Sequence, residues 1–267
     1  MNDSNDHSDT TIEPSDDHPI EIRVLESPAE LRRLMSLFSQ VWGTVTPLVG
    51  VEMLRAMVHT GGYVAGAFSN DRIVGGSLGF LARHNGEIAL HSHVTGVLPG
   101  VRHTGLGRLM KMHQRDWAAR HDIDWVTWTF DPLVRRNAWF NIAVLGATVD
   151  SYLVDFYGQM TDSINSADPS SDRLVVAWPT AVDGDTEAPA EVAVDDESLR
   201  RVATPDDILV LRRTDPPAAI EWRRRMREEL GGALDDGAEV VGFTRDGEYL
   251  LASAVGGTSS APRAAAR

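Results

Sequence analysis

The chain has 267 residues, of which 42% are hydrophobic, and it carries a formal net charge of −14 at pH 7. This is enough apolar material for a folded core, while the acidic balance argues against nucleic acid as a partner, because phosphate binding depends on clustered Lys and Arg. The chain has no Cys, which excludes disulfides, thiolate metal sites and a cysteine nucleophile, and we predict no metal.

Polar segments divide the chain into domains. We expect disordered tails at residues 1–19 and 255–267 and an acidic linker at 180–197, because these segments have too little apolar content to become ordered. Between them lie a main domain, residues 20–179, and a C-terminal extension, residues 198–254. The sequence has no apolar run of about 18 residues and no secretory signal, so we expect a cytoplasmic protein without a membrane partner.

The first half of the main domain alternates short strands and helices. Ile20–Leu25 reads as a strand, and Ser27 with Pro28 predicts the start of a helix that runs to about Val41. A second helix is predicted over Val51–His59. Three antiparallel strands then follow, with the sequences "YVAGAFS", "RIVGGSLGFLAR" and "EIALHSHVTGV".

The second half begins with an amphipathic helix over Thr104–Arg120, whose apolar face is predicted to carry Leu106, Leu109, Met110, His113 and Trp117. The strand Trp125–Phe130 should run parallel to the third antiparallel strand, because a crossover helix joins them. A helix over about Val134–Leu145 and the closing strands "TVDSYLVDF" and "DRLVVAW" complete the domain. The extension should contain a strand near Arg200–Ala203, a helix from about Asp206, a charged helix over Pro216–Leu230 and a hairpin.

The turn "VLPGVRHTGLG" joins a strand to this amphipathic helix. Its glycines and the positive end of the helix dipole favour an anion. A P-loop would require Lys and then Ser or Thr after Gly107, and a dinucleotide loop would require a third Gly where Met110 stands. ATP and NAD are therefore disfavoured.

Arg102-His103-Thr104-Gly105-Leu106-Gly107 matches the Gln/Arg-x-x-Gly-x-Gly/Ala motif of the GNAT acyltransferases. The order of elements from Ile20 to Trp178 also resembles that family. The resemblance implies an α/β (α+β) fold: a mixed, mostly antiparallel central sheet flanked by helices, here followed by a small C-terminal α/β extension.

The resemblance implies that the ligand is acetyl-CoA or another acyl-CoA, with succinyl-CoA also open. The backbone N–H groups from His103 to Arg108 would hold its pyrophosphate. In this family the acyl carbonyl meets a main-chain N–H near a bulge in the strand before the loop, and Gly96 is our expected bulge position. The implied CoA-binding residues are Val97, Leu98, Pro99, Arg102, His103, Thr104, Gly105, Leu106, Gly107, Arg108 and Asn137, with the N–H near Val97 as an oxyanion-type stabiliser.

A base near the third strand would deprotonate the acceptor amine. His91 and His93 are candidates, because alternate residues from 91 to 97 are expected to share one strand face; the alternative is that one or both are structural histidines. Glu87 resembles the family's frequent acidic base by location only.

The family often uses a Tyr in the following helix as general acid, but Ile142 occupies that position here. The neighbouring Asn141 is a candidate for orienting water or binding pantetheine amides, together with Asn137 one turn earlier. Tyr152 and Tyr157 are alternative acids, and a CoA thiolate can also leave without one.

Asp131, Arg135 and Trp42 are candidates for acceptor recognition; their alternatives are a helix cap, surface charge and core packing. The resemblance implies an enzyme that transfers an acetyl or succinyl group to the amine of a small molecule or amino acid by direct attack. The alternative is a non-catalytic acyl-CoA-binding regulatory module. A homodimer contact through the charged helix "EWRRRMREEL" is left open.

Overall fold

A computed structural model of the protein describes residues 19–43, 49–158, 170–181, 196 and 198–253. These residues form two compact units that divide between Ile123 and Asp124. The division falls inside the predicted main domain, and residues 198–253 group with the second half of that domain. The predicted disordered tails and acidic linker lie almost entirely outside the described residues. Within the described ranges, no helix is both long enough and apolar enough to cross a membrane.

The first unit contains four strands and three helices. They are β1 (Ile20–Val24), α1 (Pro28–Trp42), α2 (Val51–His59), β2 (Tyr63–Ser69), β3 (Arg72–His84), β4 (Glu87–Val97) and α3 (Leu106–Ala119), with a short 3₁₀ turn at Pro99–Val101 before α3. The strands pair in chain order, and each pair is antiparallel. The three antiparallel strands predicted before the glycine turn are therefore confirmed, as are both early helices.

Helix α1 begins where its sequence predicts. The Ser27 side chain accepts a hydrogen bond from the Glu30 N–H at 3.2 Å, and Glu30 accepts one from the Ser27 N–H at 3.2 Å. This reciprocal capping box satisfies two donors that would otherwise be orphaned at the helix start. The helix buries Leu31, Leu34 and Phe38 in the core of the first unit.

The second unit contains six strands. β7 (Arg173–Pro179) lies between β5 (Trp125–Phe130) and β6 (Thr148–Leu153) and is antiparallel to both. A separate three-stranded antiparallel sheet consists of β8 (Arg200–Ala203), β9 (Glu239–Phe243) and β10 (Glu248–Ala252), with β10 in the centre. The helices are α4 (Arg135–Ala138), α5 (Ile208–Thr214), α6 (Pro216–Met226) and α7 (Gly232–Asp235).

Three helix predictions were wrong in detail. The helix expected over Val134–Leu145 is one α-helical turn, α4, followed by a π-helix over Trp139–Val144. The charged helix does not end at Leu230, because a π-helical turn carries it from α6 into α7. In α3, Leu109 is 48% exposed, whereas Met110 is fully buried.

Candidate functional site

Strand β4 carries a bulge, but not at Gly96. Gly96 pairs regularly with Gly76, whereas the register with β3 shifts between Val94 and Ser92, so His93 is the extra residue. The predicted bulge position was therefore wrong by three residues. A bulge bends its strand and leaves its extra residue outside the ladder, and here that residue is the candidate base His93.

Gly96 is explained by packing. A Cβ at this position would lie 2.6 Å from the Trp42 ring, which packs edge-to-face on Phe38. Only a glycine allows this close approach of helix α1 to β4. Trp42 is partly buried and packs against the core of the first unit, which favours the packing alternative over its predicted role in acceptor recognition.

The bulge also changes which side chains share a strand face. His91 pairs with Phe80 on β3, and the His93 ring lies 5.7 Å from the Phe80 ring and 6.4 Å from the His91 ring, centre to centre. Thr95 lies on the opposite face, where its hydroxyl contacts Ser77. The expectation that residues 91, 93, 95 and 97 share one face was wrong, because one inserted residue reverses the alternation.

Both imidazoles are neutral near pH 7. Burial lowers the pKa of His91 to about 4, with contributions from His93 and Lys111. Partial desolvation also lowers the pKa of His93, and this residue is the more exposed of the two. Of the two, His93 is better suited to accept a proton, because His91 is a much weaker base.

Glu87 does not join this group. It is exposed at the first position of β4 and pairs with His84 beside the hairpin turn. Six residues of extended strand separate it from His93, a distance of roughly 20 Å. The structure therefore argues against Glu87 as the base.

The glycine loop runs from the 3₁₀ turn directly into α3. His103 and Gly105 both adopt positive φ, at 75° and 82°. A Cβ at Gly105 would have no atom within 4 Å, so the backbone angle, and not internal packing, requires glycine there. No side chain among the described residues caps α3, and Arg102 and Arg108 are exposed beside its N-terminus.

These features fit an anionic ligand, with one correction. The Arg108 N–H donates to the Gly105 carbonyl at 3.0 Å, so it is not available to a ligand as predicted. The Leu106 and Gly107 N–H groups occupy the first two helical positions, where an α-helix supplies no internal acceptor. The loop therefore combines helix-end donors, open space and two guanidinium groups, as a pyrophosphate requires.

The end of β4 also keeps a suitable donor. The Leu98 N–H donates to the Val74 carbonyl on β3 at 2.9 Å. Because N–H directions alternate along an antiparallel strand, the Val97 N–H points away from β3. This direction is compatible with the predicted contact to an acyl carbonyl.

A buried polar cluster behind β4 was missed in the sequence. Lys111 on α3 is 5% exposed, and its ammonium donates to the Ser92 hydroxyl at 2.9 Å and to the Gln114 carbonyl oxygen at 3.3 Å. The Gln114 amide in turn donates to Ser77 at 3.3 Å. A charged residue directly after the buried Met110 of an amphipathic helix was the signal that could have revealed this cluster.

We expect Lys111→Met to change the pH dependence of stability. Burial lowers the pKa of Lys111 to about 7, against about 10.4 when it is unfolded. Between these values the unfolded chain binds more protons, so the wild type gains stability as pH rises. The stability of the wild type relative to Lys111→Met should therefore increase from pH 7 to pH 10 in urea titrations. A difference that is constant with pH would contradict this, and the exposed Asp116→Asn is the control.

Asp131 has partners of its own in the second unit. Its carboxylate accepts hydrogen bonds from Arg212 at 2.7 Å, from both terminal nitrogens of Arg223 at 2.9 Å and from the Leu133 N–H at 3.0 Å. Burial raises its pKa, but the two guanidinium groups outweigh this and lower it to about 2. These contacts argue for a structural role and against the predicted acceptor recognition.

Arg135 is also engaged within its unit. It donates to the Thr204 carbonyl at 2.7 Å and to the Thr204 hydroxyl at 3.2 Å, and it forms a 2.8 Å ion pair with Asp206. The guanidinium thus holds the segment that links β8 to α5, which argues against its predicted role as an acceptor ligand.

The two asparagines do not share one exposed face. Asn137 is exposed on α4, whereas Asn141 is only 5% exposed in the π-helix. The backbone carbonyl of Asn141 accepts a hydrogen bond from the Ala147 N–H at 3.0 Å. Ile142, at the family's usual Tyr position, is 6% exposed. π-helical turns often occur at functional sites, and this one changes the spacing on which the prediction depended.

Tyr152 is unsuited to replace the missing acid. Its hydroxyl donates to Asp172 at 2.6 Å, and Arg227 donates to the same carboxylate at 2.7 Å. Burial and Asp172 raise the Tyr152 pKa above its usual range. Tyr157 is 45% exposed, and Arg173 lies over its ring.

No family model matches this sequence, and no curated protein matches it. Solved structures do match. A probable acetyltransferase from Staphylococcus epidermidis is 14% identical, with a TM-score of 0.50, and 61% of this chain covers 100% of that chain. The ribosomal-protein-S18-alanine N-acetyltransferase from Escherichia coli is 14% identical, with a TM-score of 0.49 and coverage of 63% and 99%. A GNAT-family acetyltransferase from Streptococcus pneumoniae is 15% identical, with a TM-score of 0.46 and coverage of 60% and 99%.

The Staphylococcus epidermidis likeness shows the fold. The chain has the mixed α/β, mostly antiparallel fold of that acetyltransferase, and the predicted fold class is confirmed. The Staphylococcus epidermidis chain is matched over its whole length by 61% of this chain, so this chain carries a substantial stretch beyond that match.

Proposed function

We propose that this protein is an acyl-CoA-dependent N-acyltransferase that transfers an acetyl or succinyl group to the amine of a small molecule or amino acid. One observation carries the proposal: the Arg102–Gly107 loop opens into α3 with helix-end N–H groups and open space, at the end of the strand whose bulge presents His93. The GNAT fold supports the same reaction class.

In the proposed reaction, acyl-CoA supplies an activated acyl thioester. The acceptor's neutral amine nitrogen bonds to the acyl carbon, the carbon–sulfur bond breaks, and the thiolate leaves with the electron pair. His93 takes the proton that the acceptor's ammonium must lose first. The nitrogen loses its second proton as the amide forms, and that proton ends on the departing thiolate or on water. The loop N–H groups from His103 to Gly107, together with Arg102 and Arg108, would bind the pyrophosphate.

The other proposed contacts follow from the sequence. Leu98 and Pro99 would flank the donor, the Val97 N–H would meet the acyl carbonyl, and Asn137 and Asn141 would bind pantetheine amides. A direct transfer agrees with the absence of Cys, since no thiol nucleophile is available for a covalent route.

The first test measures binding and turnover separately. CoA, acetyl-CoA and succinyl-CoA at about 100 times Kd should each stabilise the fold by about 2.7 kcal/mol. Thiol release is then followed with a panel of small amines and amino acids. Stabilisation with no thiol release across the panel would favour the non-catalytic module, for which the buried Ile142 is the motivating observation. No stabilisation by any of the three would overturn both functions.

We expect His93→Ala to lower kcat by roughly 10²- to 10⁴-fold, the usual contribution of a general base, with CoA affinity unchanged. Because partial desolvation lowers the His93 pKa, the wild-type rate should fall only below about pH 6.5, as the imidazole becomes protonated. Steady-state rates from pH 5 to pH 9 check this. His84→Ala, in the β3–β4 hairpin, is the matched histidine control. A rate loss in Glu87→Gln but not in His93→Ala would contradict the assignment.

A further inference from the structure

Lys111 is the only lysine in the sequence, since every other basic side chain of the Lys and Arg class is Arg. It is also 5% exposed, so the chain uses its one primary side-chain amine in the interior. Lysine differs from arginine in having a compact ammonium whose proton can be lost after burial. The chain has one lysine and many arginines, so the lysine at this position indicates a role that depends on its ammonium group.

The contacts of Lys111 lie around the bulge of β4. Its ammonium holds Ser92, the residue directly before the extra residue His93. Through Gln114 and Ser77 the same cluster reaches Thr95, whose hydroxyl lies 2.8 Å from that of Ser77. The cluster thus contacts β4 at Ser92, before His93, and at Thr95, after it. Both contacts lie on the strand face opposite the two imidazoles.

The position of Lys111 on α3 connects two parts of the proposed site. The N-terminal turn of α3 carries Leu106 and Gly107, whose N–H groups are proposed to bind pyrophosphate. Lys111 lies one turn further along the same helix and contacts β4 behind the proposed base. One rigid helix therefore contacts both the proposed donor-binding loop and the bulge.

Electrostatics support the same connection. The charged or titratable groups that act on His91 are His93 from its own strand and Lys111 from α3, after the larger effect of burial. Its partner on β3, Phe80, carries no charge. Burial already disfavours a positive charge on His91, and an ammonium behind the strand adds to this effect, so the proton taken from an acceptor goes to His93.

We propose that Lys111 is a positioning residue of the acyl transfer: through Ser92 it fixes the bulge that presents His93, and its charge acts on His91 from the opposite face of the strand. This inference rests on the proposed function for its catalytic part. The effect on His91 can be measured without any substrate, so the two proposals fail separately.

The substrate-free experiment uses nuclear magnetic resonance on the full chain. Protein with ¹³C-labelled lysine should give one Cε signal, from the carbon bonded to the ammonium, and this signal reports the titration of Lys111 directly. Imidazole signals of ¹³C-labelled histidine, assigned with His91→Asn, report His91. In Lys111→Met the His91 pKa should rise but stay below its ordinary value near 6.5, because burial and His93 still lower it. In Ser92→Ala, which keeps the ammonium, it should stay low.

The kinetic experiment tests positioning, and its comparison with the His91 titration distinguishes positioning from charge. Both Lys111→Met and Ser92→Ala should lower kcat on the order of 10- to 100-fold, because a small displacement of the base costs about this much. Their CoA affinity should stay as in the wild type. Asp116→Asn, exposed on the same helix, is the control for both measurements.

The outcomes are distinct. If Lys111→Met folds and keeps both the wild-type kcat and the wild-type His91 titration, the proposal is overturned. A lower melting temperature alone, with both readouts unchanged, also overturns it in favour of a purely structural cluster. If Lys111→Met does not fold, Ser92→Ala decides the positioning role by its kcat. If the wild-type protein releases no thiol, the catalytic part of the proposal is overturned. The His91 titration still tests the electrostatic part.

Discussion

Gly105→Leu is expected to weaken CoA binding by about 100-fold or more. The new side chain would occupy the open space beside the α3 N-terminus, where a Cβ meets no atom within 4 Å. Displacing the phosphate from two N–H groups breaks two hydrogen bonds in which the acceptor is charged, and each such bond contributes roughly 1.5–3 kcal/mol. Isothermal titration with CoA measures the loss directly.

The control for Gly105→Leu must reproduce its backbone strain, because Gly105 has a φ of 82°. Gly86, in the β3–β4 hairpin, has a φ of 87° and also no atom within 4 Å of a Cβ. Gly86→Leu should therefore cost a similar 1–2 kcal/mol of stability and leave CoA affinity unchanged. Equal CoA affinity in Gly105→Leu and the wild type would refute the phosphate-binding loop.

Asp131→Ala is expected to destabilise the protein by about 3–5 kcal/mol. The substitution removes the carboxylate that Arg212 and Arg223 share, and both side chains are at most 4% exposed, so two buried cations lose a counter-charge. Guanidinium-chloride unfolding followed by tryptophan fluorescence measures the change. Asp206→Ala, which removes a 97% exposed carboxylate from its ion pair with Arg135, should change stability by less than about 1 kcal/mol.

The same carboxylate predicts a dependence on acid. Because the Asp131 pKa is lowered to about 2 in the fold, against about 3.9 when unfolded, its stabilising effect is present above pH 4 and is lost as pH falls towards 2. The stability difference between the wild type and Asp131→Ala should therefore shrink over this interval. A difference that is unchanged at pH 2.5 would contradict the proposed charge cluster.

Local sequence signals predicted the local structure well. Ser27 with Glu30 defined the start of α1, and the bounds of α2 and β4 follow from the alternation of apolar residues and from glycine punctuation. The helix predicted over Thr104–Arg120 begins two residues later, at Leu106, because Gly105 adopts a positive φ and precedes the first helical residue. Such features depend on neighbours within a few residues, so they can be predicted from a single sequence.

Features that depend on distant partners were not predictable. Gly96 resembled a bulge residue, but its small size serves the contact with Trp42, more than fifty residues earlier. The partners of Asp131 lie 81 and 92 residues away in the sequence. A carboxylate after a strand resembles a ligand-binding residue until its arginines are known, and their approach depends on tertiary packing.

The solitary buried lysine has a chemical consequence for an enzyme that handles activated acyl groups. Thioesters acylate neutral primary amines, and Lys111 carries the sequence's one side-chain group of this kind, because the other Lys and Arg positions are all Arg, whose guanidinium stays protonated and is a poor nucleophile at neutral pH. No other side chain therefore offers a primary amine to the protein's own proposed donor. An acylated lysine side chain found after incubation with acyl-CoA would have to be Lys111, and its formation would report opening of the α3–β4 contact.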